Sequence, residues 1–463
     1  MNQFAELDRK FIWHPFTQMR DWLKHEPVVI ASGQGAILRG VSGREYLDAN
    51  SSIWTNLHGH NHPKINLAIS RQLKKIAHSS ALGFANEPAS LLAERLVQAA
   101  GSKPKSPKLA KVFFSDDGST AMEIALKLAY EFTRRMRGKK LQPKFLSLDG
   151  AYHGDTIGAV SVGHINLFHK AYSGLLFKTD KVMSPYCYRC QFNRAKPERD
   201  DARKCRKCNW ECVGLVEKRF TAQKRKGNPY AAFVFEPLMQ GSAGMIPQPE
   251  GWLRQVTDIA RSHGALLIAD EVMTGFGRTG KLFACQDEKV QPDFLCVAKG
   301  MTGGYLPMAA TLTARKIFDA FLGEHHEFKT FFHGHSFTGN QLGAAASLAS
   351  LEMLQTEKSI RQRAQLQKNL HDELQSLWPL PNVGDVRQVG LISGIELVSS
   401  WRTREPFALR ERAGIRVCEA MARRGVLTRP IGNVIVLMPP YCTTPKQVAK
   451  MVSALREAIH EVF

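Results

Sequence analysis

The run ALLIADEVMTGFGRTGKLFACQDEKVQPDFLCVAKGMTGG, residues 265–304, decides the fold. ALLIAD (265–270) is a short apolar stretch that ends on the carboxylates Asp270 and Glu271, and DFLCVAKG (293–300) ends on Lys299. Both read as buried strands. KVFFS (111–115), FLSLDG (145–150) and AAFVFEP (231–237) read the same way, each followed by turn or helical sequence. Continuous apolar strands alternating with helices are what a mainly parallel sheet covered on both faces requires. The fold class is therefore α/β. After KVFFS, Ala121, Ala125, Leu128, Ala129 and Phe132 share one helical face, and Thr120-x-x-Glu123 reads as a capping box at its start.

Working outward, the chain has 463 residues, 44% of them apolar, enough for a sizeable core and too many for a disordered chain. From about residue 345 the pattern changes to long helical stretches (342–354 and 444–463) around strand-like VGLISGIELV (389–398) and VIVLMPP (434–440). This predicts a large unit over 61–340 and a smaller α+β unit made from 1–60 and 341–463. No apolar stretch approaches the roughly 18 residues of a membrane span. The opening MNQFAELDRKFIWHPF carries acidic residues early and does not read as a signal peptide, so a cytoplasmic protein is expected.

The net charge is +21, with basic clusters at 103–111, 134–140, 203–207 and 218–226. A solvated basic surface and nonspecific nucleic-acid contact both account for such charge. The clusters lack interleaved aromatics and match no nucleic-acid-binding module, so no specific nucleic-acid partner is expected.

Three features carry chemistry. The turn Ser115-Asp116-Asp117-Gly118-Ser119-Thr120 joins a strand to a helix, where backbone N–H groups and a hydroxyl suit a phosphate. Asp270 closes a buried strand, where open α/β sheets bind ligands. Lys299 closes the next one, where partial desolvation lowers an amine's pKa and suits it to Schiff-base chemistry. Each has a bland reading alone. Together, a phosphate cradle, an acid to hold a pyridinium proton and a reactive lysine are what a pyridoxal-phosphate enzyme needs.

With those residues in view, 265–304 resembles the signature of the class III (ω-) aminotransferases. The resemblance implies a PLP-dependent transferase of fold type I and a homodimer. FIWHPFTQM (11–19), SSIWTNLHG (51–59), AYHGDTIGAVSVG (151–163), FFHGHSFTGNQLG (331–343) and LTRPIGNVIVLMPP (427–440) resemble the branch that aminates 8-amino-7-oxononanoate in biotin synthesis. Nearly the whole chain follows that pattern; 184–230 is untypical.

The resemblance implies a role for each matching residue. Lys299 is the Schiff-base lysine, Asp270 the partner of the pyridine nitrogen, and Gly118 and Ser119 the phosphate binders. Tyr152 stacks on the ring and borders the substrate. His335 and Ser336 reach the phosphate from the partner subunit, and Gly334 lines the channel. Trp54 is a pocket aromatic, and Arg429 takes the substrate carboxylate, which its fork suits. His14, His153, His333 and His335 form no recognisable ligand set.

Members using S-adenosylmethionine as amino donor have Tyr where this chain has Phe16 and Trp where it has Ile53. Phe16, HGHS and LTRP are closer to members that take the amino group from lysine, so both donors stay open. So do another class III ω-amino substrate and an inactive basic nucleic-acid-binding relative.

Finally, Cys187-x2-Cys190, Cys205-x2-Cys208 and Cys212 have the spacing of a small zinc ribbon. Neighbouring Arg and Lys are expected to lower the thiol pKa values. Structural zinc on Cys187, Cys190, Cys205 and Cys208 stands beside plain thiols and a redox role. Cys285 and Cys296 read as core.

Overall fold

The computed structural model describes residues 2–101, 109–138, 140–196 and 199–463. Most of the basic run 103–111, and Lys139 of 134–140, lie outside the described residues.

The apolar runs form one seven-stranded sheet: β1 (Leu109–Ser115), β2 (Phe145–Leu148), β3 (Asp180–Val182), β4 (Ala232–Phe235), β5 (Leu266–Asp270), β6 (Phe294–Val297) and β7 (Ala309–Ala314). The spatial order is β1-β7-β6-β5-β4-β2-β3. Only β7 runs antiparallel to its neighbours. Alternate residues serve opposite faces. Leu267, Ala269, Leu295 and Val297 join one apolar cluster, while Leu266, Ile268, Phe294 and Cys296 join another. That double burial is why these strands read as unbroken apolar runs rather than alternating ones.

Helix α1 (Gly118–Arg137) follows β1 and buries Ala121, Ala125, Leu128 and Ala129. Its capping box differs from the expected one. Asp117 is the N-cap, accepting from the Thr120 N–H while the Thr120 hydroxyl bonds back to Asp117. Glu123 instead accepts from the Gly158 and Ala159 N–H groups, because a second turn of chain packs over the first turn of α1.

The chain ends build a separate core in which Leu47 and Ala49 pack with Leu366, Leu370, Ile435 and Leu455. The stretch 389–398 is not one strand. A hairpin turns at Gly390-Leu391 between β8 (Val383–Val389) and β9 (Ile392–Ser400), with Gly390 at φ +60°. β9 also pairs with β10 (Val434–Leu437).

Candidate active site

Five strand ends meet along one edge of the large sheet. β1 gives Asp116–Ser119, β2 the Tyr152–Thr156 loop, β4 Glu236, β5 Asp270, and β6 Ala298-Lys299. Together with Trp54 and Met273 they line a cavity of about 590 Å³. The carboxyl edge of parallel strands is where sheets of this type hold ligands.

Lys299 opens a short 3-10 turn in the left-handed region, at φ +44°. Its Nζ stands 4.8 Å from the centroid of the Trp54 ring. Burial pushes the amine below its ordinary pKa, against the pull of Asp270 and Glu236. A neutral amine is a nucleophile; an ammonium is not.

Asp270 is buried and accepts at Oδ1 from the Val272 N–H, 3.0 Å away. Its Oδ2 lies 2.7 Å from His153 Nδ1. Burial opposes charge on His153, but the bond to Asp270 outweighs it and the imidazole pKa is raised. The bond to His153 fixes the Asp270 carboxyl where it borders the cavity.

At the start of α1 the first N–H groups, those of Gly118 and Ser119, have no partner within the helix. A Cβ on Gly118 would sit 2.6 Å from Val272 Cγ1, so this turn presses against the segment after Asp270. The Ser119 hydroxyl accepts from the Thr156 N–H at 2.9 Å and bonds the Thr156 hydroxyl at 2.7 Å. Tyr152 lines the cavity with its hydroxyl donating to Asp155 at 2.6 Å, and Glu236 accepts from the Tyr152 and Gly241 N–H groups. Burial pushes the Glu236 carboxyl up to about 7.

Trp54 enters from a different kind of backbone. Ser51, Ser52, Ile53 and Trp54 all have φ between +47° and +70°, a left-handed turn without glycine. Each such residue costs about 1–2 kcal/mol. The turn is held by Ser51 Oγ donating to the Met438 carbonyl at 2.6 Å, Ser52 donating to Asp48, and Trp54 Nε1 donating to Asn50 at 2.8 Å.

One chain thus brings together Lys299, Asp270, Tyr152, Gly118, Ser119 and Trp54. The remaining expected residues stand outside the cavity lining. Phe16 is exposed at the mouth, its ring 6.5 Å from that of Tyr152 and 5.1 Å from that of Phe168. Gly334 and Arg429 are exposed. His335 Nδ1 lies 2.8 Å from Asp116 Oδ2, and the Ser336 carbonyl accepts from His78. Sequence reading passed over Glu236, and placed His153 only among histidines that form no ligand set. The histidine's place two residues after a strand-end loop was the available signal, but its partner is 117 residues away.

The zinc expectation fails. Among the described residues no group of three or more His, Cys, Asp or Glu is arranged to hold a metal ion. Nor are Cys187 and Cys212 lowered as expected. Burial, reinforced by neighbouring cysteines, pushes Cys187 up to about 12 despite Arg206, and burial takes Cys212 up to about 11. No disulfide joins any of the nine cysteines, and Cys285 and Cys296 are buried in the core.

Residues 19–459 match the family model Aminotransferase class-III. The chain belongs to the class III aminotransferases. It is 46% identical over 455 residues to the adenosylmethionine-8-amino-7-oxononanoate aminotransferase of Geobacter sulfurreducens, covering 98% of this chain and 97% of that one. Identity to the protein of the same name from Aquifex aeolicus is 44%, over 98% of this chain and 96% of that one. Among solved structures, that of the Methanocaldococcus jannaschii protein of this name superposes with a TM-score of 0.90 at 41% identity, covering 99% and 98% of the two chains. The omega transaminase of Pseudomonas jessenii in complex with PMP gives 0.90 at 25% identity, over 100% and 98%. Class III aminotransferases depend on pyridoxal phosphate, and the fold here is the fold-type-I architecture they share. No helix among the described residues is long and apolar enough to cross a membrane.

Proposed function

We propose that the protein transfers an amino group to 8-amino-7-oxononanoate, giving 7,8-diaminononanoate for biotin synthesis. The observation that carries this is the convergence of Lys299, Asp270 and the Gly118-Ser119 turn on one cavity, in a chain 46% identical along its length to aminotransferases named for that acceptor.

The residues fit pyridoxal phosphate. The unpartnered N–H groups at the start of α1 suit its phosphate, Asp270 its ring nitrogen, and the depressed Lys299 amine its carbonyl. When bound, the cofactor supplies a carbonyl that takes up the amino group and a ring that accepts the electron pair of the deprotonated substrate carbon. Everything else falls to the chain. Lys299 moves a proton at its Nζ, going between neutral amine and ammonium as the substrate carbon loses and regains hydrogen. Asp270, braced by His153, holds a proton on the ring nitrogen. Tyr152 and Trp54 exclude water from the two sides of Lys299. Arg429, exposed in this chain, is the cation for the substrate carboxylate.

His335, Ser336 and Gly334 complete the site of the other subunit in a homodimer. Exposed Leu82, Phe84, Phe332 and Phe337 support this, being apolar surface that a second copy would cover. The large unit over 61–340 and the small unit from 1–60 and 341–463 fit the two separate cores. A cytoplasmic location fits nine cysteines without a disulfide. For the donor, Phe16 offers an aromatic edge without a hydroxyl, and Ile53 no flat face. S-adenosylmethionine and lysine both remain, with the former favoured by the relatives' names.

The test is a visible spectrum of the loaded enzyme titrated with each donor, then with the amino-oxo acid. Bleaching by one donor and recovery with 8-amino-7-oxononanoate is expected. Recovery only with other ω-oxo acceptors would overturn the substrate assignment.

A further inference from the structure

The untypical segment 184–230 and the small sheet meet at a buried ionic cluster that the site described so far does not use. At its centre Arg387, on β8, is 1% exposed. Its Nη1 donates to Asp385 at 2.9 Å and to Glu396 at 2.6 Å. Its Nε donates to the Met245 carbonyl at 2.7 Å, and its Nη2 to the Gly244 carbonyl at 2.6 Å. Asp385 and Glu396 face each other across the β8–β9 ladder, and Gly394, opposite Arg387, leaves room for the guanidinium. Glu396 is supported in turn from the cysteine-rich segment, because Arg189 Nε donates to it at 2.6 Å and the Tyr186 hydroxyl donates to its other oxygen.

What this cluster grips is a piece of the cavity wall. Residues 241–245 form a tight turn, with Gly244 at φ +111° and Met245 in the left-handed region at φ +53°. Ser242 of that turn lines the cavity. The Met245 side chain, fully buried, packs in one cluster with Trp54, Met273 and Ile392, and both Trp54 and Met273 line the cavity. A left-handed methionine is held only where its surroundings over-determine it. Here that restraint is the guanidinium fork, delivered from the other sheet.

We propose that Arg387 is a positioning residue for the substrate wall. It clamps the strained 241–245 turn so that Met245 seats Trp54 and Met273, while Tyr186 and Arg189 of the cysteine-rich segment buttress its counter-ion Glu396. The segment's role is then mechanical. The inference rests on reading the cavity as the amino-oxo acid's site, but its first test does not.

That test is hydrogen–deuterium exchange of the full chain without cofactor, comparing Arg387→Lys with wild type. Lysine keeps the charge and loses the fork, so amides of 241–246 should exchange at least about tenfold faster, with β5 and β6 unchanged. In the loaded enzyme the same variant should raise KM for the amino-oxo acid about tenfold, leave kcat within about threefold and keep the cofactor absorbance. Gly394→Ala is the second variant, needed if the first does not fold. It keeps every charge but sets a methyl 2.8 Å from Met245 Cβ and 3.3 Å from Arg387 Nε, and should shift KM in the same direction. Unchanged exchange at 241–246, or equal losses of kcat and kcat/KM with KM unmoved, overturns the proposal. Faster exchange without turnover of 8-amino-7-oxononanoate would keep the clamp and overturn the substrate reading instead.

Discussion

At the cavity floor, Asp116–Ser119, Tyr152–Thr156, Glu236, Asp270 and Lys299 all leave one edge of a single sheet. At the mouth, Phe16 and Trp54 arrive from the start of the chain, Phe16 exposed beside Tyr152 and Trp54 on a left-handed turn. The floor is positioned by ladder hydrogen bonds and a core packed on both faces, so its geometry is fixed before any ligand binds. The mouth is positioned by a handful of side chain to backbone bonds, and Trp54 depends on four strained residues staying strained. On the proposed function, chemistry falls to the rigid part of the molecule and substrate choice to the part whose geometry is most easily altered.

Breaking the floor should cost most. Lys299→Ala should lower turnover by at least about 10⁴-fold, the upper range for a positioned acid–base group, while pyridoxal phosphate still binds noncovalently. Borohydride should fix the cofactor to Lys299 in the wild type and to nothing in the variant; fixation elsewhere moves the assignment.

Asp270→Asn preserves shape but not charge, and should slow turnover about 10²–10³-fold with an unchanged melting temperature. Near-normal rates would mean that the His153–Asp270 pair is only structural.

For substrate recognition, Arg429→Ala should raise KM for the amino-oxo acid about tenfold, since an exposed arginine is screened, and leave a donor without a matching carboxylate nearly unaffected. Equal losses in both half-reactions would place Arg429 in folding rather than recognition.

A pH titration sharpens the contrast from the floor side. Glu271 is fully buried, accepts from the Ala284 and Cys285 N–H groups, and has its carboxyl pushed by burial from 4.5 up to about 7. Below pH 4.5 it is protonated folded and unfolded. Between 4.5 and 7 the unfolded chain loses the proton first, so stability falls as pH rises through that window and levels off above it. The slope should be shallower in Glu271→Gln, with Glu236 and Asp385, both also raised by burial, contributing to what remains. Urea midpoints from pH 5 to 8 measure it; identical slopes would remove Glu271 from the account.

The smallest effect comes from the mouth's strain. Ile53→Gly should change the fold's stability by less than about 1 kcal/mol, because relief of the Cβ penalty at φ +65° is offset by glycine's entropy and by the partly buried side chain that is lost. A fall in the melting temperature by several degrees would show that packing of Ile53 outweighs its backbone strain.

What the sequence by itself determined was the floor. ALLIAD and DFLCVAKG could be read as strands because burial on both faces demands unbroken apolar runs, and Asp270 and Lys299 fall where those runs stop. The Ser115–Thr120 turn was legible because helix N-termini have a local chemistry, although the cap proved to be Asp117 with Thr120. The hairpin at Gly390 was hidden because apolar Val389 and Leu391 flank the turn and make two strands look like one. The mouth was legible only by resemblance, since nothing in Ser51-Ser52-Ile53-Trp54 announces a left-handed turn; bonds to Asp48 and to Met438, far along the chain, impose it. Cysteine spacing suggested a metal, but among the described residues no three ligands are arranged to hold one. His153 against Asp270, and Arg387 against Met245, belong to tertiary structure alone. A bond between residues more than a hundred positions apart leaves no local period, and only packing creates it.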